Sequence, residues 1–180
     1  MVWRLSPRPA RTRPGRPTGR LRLFGVDFYA WMLALHLLAA FAIASALVLF
    51  SVLVFNGRRM DSPEQGRLLF RIAPIGTPLI GGGAVLALIL GVILAIDSKR
   101  FEIWDGWIIA GIVLWALMGA IGGRTGKYYT EVQKLAEEGG EGAHQEVLAR
   151  LRAPTGALLH LGTVLVFLLI LLDMIFKPGA

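Results

Sequence analysis

Two imidazoles stand in stretches that are otherwise almost pure hydrocarbon: His36 in WMLALHLLAAFAIASALVLF, residues 31–50, and His160 in APTGALLHLGTVLVFLLILL, residues 153–172. A neutral imidazole in such a setting is a good ligand for haem iron, copper or zinc. It can also carry a proton, or donate to a carbonyl or hydroxyl of a neighbouring helix, for example at Ser45, Thr77, Thr155 or Thr163. The residues leave both roles open, ligand and helix-to-helix hydrogen bond. The other ionisable groups near apolar sequence are Asp27 and Asp97, which mark the ends of spans, and Asp173, whose four-residue spacing to Lys177 predicts a helical ion pair at the membrane surface. His144 falls in polar sequence and reads as a solvated side chain.

Other chemistries find no machinery. GGRTGKY resembles a phosphate loop, but Ile121 stands where the first glycine belongs and Tyr128 replaces the magnesium-binding Ser or Thr. LIGGGAV has three successive glycines without a strand before it. No catalytic Ser/His/Asp set, HExxH or pair of intramembrane carboxylates is present, so hydrolysis and nucleotide binding are not expected. The chain has no cysteine, which excludes disulfides, thiolate zinc sites, cysteine-held iron–sulfur clusters and covalently attached c-type haem. A haem b or a copper ion would have to be held by His, Met, carboxylate or Tyr, and His36 and His160 are the candidate ligands.

The elements that carry these histidines are set by hydropathy. Hydrophobic residues make up 55% of the chain, more than a water-soluble domain carries. Residues 28–57, 72–96, 106–123 and 153–172 contain no Lys, Arg, Asp or Glu. Each is near or above the roughly 20 residues a helix needs to cross a ~30 Å hydrocarbon layer. Lipid offers the backbone no partner, and the runs do not alternate as barrel strands do, so the spans are helical. The expected fold is an all-α, polytopic bundle of four transmembrane helices over residues 24–180, with spans at about 28–55, 75–97, 104–123 and 155–176.

Ahead of it, residues 1–23 hold seven arginines, four prolines and no acid, the composition of a disordered tail. With only Trp3 to interleave, the tail suits anionic lipid headgroups and not nucleic acid. Positive charge divides almost evenly between the two sides. The cost of moving the tail across the membrane, together with the acids that offset the third loop, places both termini in the cytoplasm of a cell with an inner membrane. Segment 124–153 shows two apolar strips, Val132/Leu135/Ala136 and Val147/Leu148/Leu151, separated by Gly139 and Gly140. Two short amphipathic helices at the interface are expected there.

Small residues predict close helix contacts: Gly83, Ala87, Gly91 and Ala95 in one row of the second span, Gly119 and Gly123 with Ala116 and Ala120 in the third, and Ala30, Ala34, Ala42 and Ala46 in the first. Pro74 and Pro78 mark the entry to the second span and Pro154 that to the fourth. In this bundle His36 lies ~15 Å from the inner edge and His160 ~25 Å, counting ~1.5 Å per residue. That mismatch disfavours joint ligation of one haem iron.

LHLLAAFAIASALVLF at 35–50 and LLDMIFKPGA at 171–180, with Met174, Lys177 and Pro178, resemble the first and last helices of an uncharacterised bacterial family of four-span membrane proteins, distant kin of the CopD copper-resistance proteins and HemJ-type protoporphyrinogen oxidases. The resemblance implies a haem or metal ligand at His36. The chain departs from these relatives in having AFAIAS where they show Trp and Gly, and no basic residue in 106–123, as the oxidase has. The functional expectation is therefore a small membrane protein binding haem b or a metal through an intramembrane histidine. The alternative is a non-catalytic accessory or anchor subunit, docking a larger membrane complex or a second copy by its small-residue faces. Transport is disfavoured by the lack of an inverted repeat or central charge pair.

Overall fold

A computed structural model describes residues 22–23, 26–60, 63–97, 102, 104–139 and 141–178. The disordered tail expected at 1–23 lies outside these, apart from Arg22–Leu23, which pairs with Val26–Asp27 in a two-residue antiparallel bridge. The rest is helical: α1 Phe28–Gly57, α2 Pro63–Asp97, α3 Gly106–Glu138, α4 His144–Arg152 and α5 Pro154–Phe176. Four of these, α1, α2 from Arg71 onward, α3 and α5, are long and apolar enough to cross a membrane. The protein is an all-α, multi-pass membrane bundle.

Two elements differ from the sequence expectation. Pro74 and Pro78 lie inside α2, which begins eleven residues before Pro74. A proline ring removes one backbone bond and would break a helix in water. In a membrane span neighbouring helices, local backbone adjustment and side-chain hydroxyls can re-satisfy the freed carbonyls, so the helix runs on. α3 likewise does not stop at the end of its apolar part. Its 33 residues extend ~50 Å, well beyond a ~30 Å hydrocarbon layer. The first expected interfacial helix is thus the continuation of α3, and the second, α4, folds back on it. Val132, fully buried, packs with Val147 and Leu151 between flanking Tyr128, Tyr129 and Leu135. The two apolar strips cover each other instead of lying separately on lipid.

The four spans form two intimate antiparallel pairs, α1 with α2 and α3 with α5, joined by lighter α1–α5 and α2–α3 contacts. Small residues set the first pair. A Cβ at Gly83 would stand 2.9 Å from Ile43 Cγ1 and 3.1 Å from the Ala39 carbonyl oxygen, and one at Gly76 would stand 2.9 Å from the Phe50 ring. In the second pair Gly111 faces Asp173 and Met174, Gly162 faces Ile121, and Gly156 faces Tyr128 and Tyr129. Lipid is as apolar as leucine, so what holds such pairs is close packing and polar contact rather than removal from water.

The pairs meet around Ile43, Leu47, Met118, Val166 and Phe167. Two further devices tie them. Trp115 of α3 donates its indole N–H to the Ala84 carbonyl of α2 at 3.0 Å. At one end, Arg58, just beyond α1, donates to the carbonyl of Ala153 between α4 and α5 at 3.0 Å, while Arg152 donates to that of Met60 at 2.7 Å. The two arginines reach across in opposite directions, and Tyr128 adds a bond to the Arg150 carbonyl at 2.7 Å.

Candidate functional site

His36 sits in the third turn of α1, where α2 presents Gly91 and the carbonyl of Ala87. Its Nδ1–H donates to that carbonyl at 2.9 Å. A carbonyl only accepts, so the proton must be on Nδ1, and Nε2 keeps a bare lone pair. Gly91 lets the ring lie against α2: a Cβ there would come 3.2 Å from His36 Cε1. Gly83, Ala87 and Gly91 of the small-residue row therefore receive α1, while Ala95, at the end of the row, packs against Trp107 and Ile108 of α3.

His160 has the opposite tautomer. Ser51 Oγ gives its one proton to the Leu47 carbonyl at 2.8 Å, so at its 2.8 Å contact with His160 it accepts from Nε2–H. The imidazole is 2% exposed, enclosed between α1 and α5. Both histidines thus make helix-to-helix hydrogen bonds, to Ala87 and Ser51 rather than to the acceptors suggested by sequence. Thr163, one of those, bonds to Leu159 in its own helix.

The structure does not bring the two imidazoles together. Ser51, which marks the level of His160, is fifteen residues beyond His36 in α1, or ~22 Å along the helix at ~1.5 Å per residue. One iron cannot hold both. Among the described residues no three His, Cys, Asp or Glu side chains come together in a way that could hold a metal ion.

Asp173 is the residue the sequence misplaced. Asp173 does not form the expected ion pair with Lys177; the Lys177 ammonium stands over the Trp107 ring, 5.2 Å from its centroid. Asp173 itself is buried at α3 opposite Gly111. Only the α3–α5 register, a long-range property, decides this.

The class that fold and site define is a four-span helical membrane protein with two separate intramembrane imidazoles, each fixed by one interhelical hydrogen bond. Comparison with protein-family models, with curated proteins and with solved structures finds no match.

Proposed function

We propose that this chain is a small integral membrane protein in which His36 is the single protein ligand to haem b. What supports the reading is the fixed tautomer. An Nδ1–H held by a backbone carbonyl orients the ring and leaves Nε2 as the donor atom, as the hydrogen bond behind a ligating imidazole usually does. The donor set favours haem over a bare copper or zinc ion. A metal ion needs three or four protein ligands, whereas haem brings four nitrogens of its own and needs only one. His160 spends its N–H on Ser51 and serves to join α1 to α5. When bound, haem supplies one-electron chemistry, and this chain's part is to orient the ligand and exclude water. On this reading the kinship to CopD and HemJ-type proteins lies in the first-helix histidine.

The test is a visible spectrum of the detergent-purified protein, oxidised and dithionite-reduced, with iron and copper content, after expression with ample haem. A Soret band that sharpens on reduction, is lost in His36→Ala at unchanged expression and persists in His160→Ala is expected. Copper without haem would replace the haem reading by a metal one. A colourless, metal-free protein would end both.

A second reading, an accessory or anchor subunit, has its own observation. Ala116, Gly119, Ala120 and Gly123 of α3 face outward, and nothing lies within 4 Å of a Cβ placed at Gly119 or Gly123. Such a face suits another transmembrane helix. In the same preparation, a defined co-purifying membrane partner favours this reading, and a monodisperse lone monomer counts against it.

Four passes leave Phe28 and Phe176 at one end of the bundle. We place that end in the cytoplasm of a bacterial cell, because moving the arginine tail outward is unfavourable. A reporter fused after Ala180 that is active only outside should stay silent.

A further inference from the structure

Asp173 is one turn from the end of α5 and only 9% exposed. Its Oδ2 is out of solvent, and among the described residues no donor reaches it. That oxygen faces α3 where the chain has Gly111: a Cβ there would stand 3.2 Å from Oδ2 and 2.8 Å from Met174 Cε. The glycine thus gives room to a carboxyl group and offers it no hydrogen bond. Lys177 is four residues on, the spacing of a helical ion pair, but its ammonium rests on Trp107 of α3. Its backbone is left-handed, with φ 42°, and its N–H closes α5 on the Asp173 carbonyl at 2.8 Å.

An ionised carboxylate in an apolar helix interface without a donor is costly, so a carboxyl group so placed takes up either a proton or a cation. Among the described residues, the titratable groups at this end of the bundle besides Lys177 are Asp27 and Tyr29 at the start of α1, Asp97, Glu102 and Asp105. α3 has no ionisable residue from 106 to 123, with Asp105 just ahead of it; α2 ends at Asp97; and on α1 His36 has committed its N–H to Ala87. Among the described residues of α5 and its C-cap, Lys177 is the one cation within four residues of Asp173.

We infer that Asp173 is a protonation site built into the α3–α5 pair, with Lys177 as its alternative partner. While Oδ2 or Oδ1 carries a proton, the carboxyl group is neutral and the ammonium stays on Trp107. When the proton leaves to solvent at the near end of the bundle, the ammonium crosses from the indole to the carboxylate. Only Asp173 changes charge. The inference is independent of haem binding.

The experiment uses the full chain in phosphatidylcholine vesicles with dicyclohexylcarbodiimide, an apolar reagent that attacks protonated carboxyl groups, and locates adducts by mass spectrometry. The expected result is an adduct at Asp173 on the acid side that is lost on the alkaline side, and no adduct in Asp173→Asn. In parallel, the pH-dependent part of the indole emission that disappears in Trp107→Phe should also disappear in Lys177→Gln. Absence of an adduct at Asp173 at every pH at which the protein stays folded would overturn the site. Labelling without any Trp107 response would overturn the role of Lys177. Because labelling is read on the unaltered chain, the site remains testable even if Asp173→Asn does not fold.

Discussion

Gly83→Leu separates α1 from α2 and costs about 3 kcal/mol, the upper part of what overpacking usually costs. Even the Cβ meets two obstacles there, Ile43 Cγ1 at 2.9 Å and the Ala39 carbonyl oxygen at 3.1 Å. Ile43 could turn aside, but the carbonyl belongs to the α1 backbone and moves only with the helix. Ile43 is also part of the cluster where the two helix pairs meet, so displacing it loosens α3 and α5 as well. Gly82→Leu, one residue away, is the control. Nothing lies within 4 Å of a Cβ at Gly82, and the side chain enters lipid. Unfolding in mixed detergent, followed by circular dichroism, should show a large loss for position 83 and little change for position 82. Equal stability of the two variants would mean that the α1–α2 register is wrong.

His160→Ala is expected to cost about 2–4 kcal/mol, because it empties an enclosed site as well as removing a hydrogen bond. Ser51→Ala removes the bond alone and should cost about 0.6 kcal/mol, at most about 1.7 kcal/mol, the range for interhelical hydrogen bonds in membranes. The double variant should cost less than the sum of the two, since both singles break the same bond. Contacts between α1 and α5 are sparse compared with those inside each pair, so little else compensates. His160→Asn, smaller but still a donor, should recover part of the loss. A cost for His160→Ala below that of Ser51→Ala would remove the imidazole from its place between the helices.

These expectations divide by where their information lies in the chain. That residues 28–57, 106–123 and 153–172 are helices in a membrane follows from sequence alone, because the bilayer imposes one length and one way of satisfying the backbone. The row Gly83 to Ala95 was legible as a packing face for a similar reason: four-residue spacing puts small residues on one side whatever lies opposite. Their equivalents in α3, Gly119 and Gly123, read the same way and yet face outward. Periodicity identifies a face, and only tertiary structure decides whether another helix occupies it.

The polar contacts depended on that decision entirely. His36 and His160 could be picked out as intramembrane imidazoles, but their acceptors, Ala87 and Ser51, are set by how far α1 slides against α2 and α5. Asp173 and Lys177 show the same limit. Their spacing permits an ion pair, and the nearness of Gly111 and Trp107 on another helix supplies a different arrangement. Hydropathy is a property of each segment taken singly, so the sequence by itself determined the spans. Register and facing are properties of pairs of segments, so the tertiary structure alone determined which atoms meet.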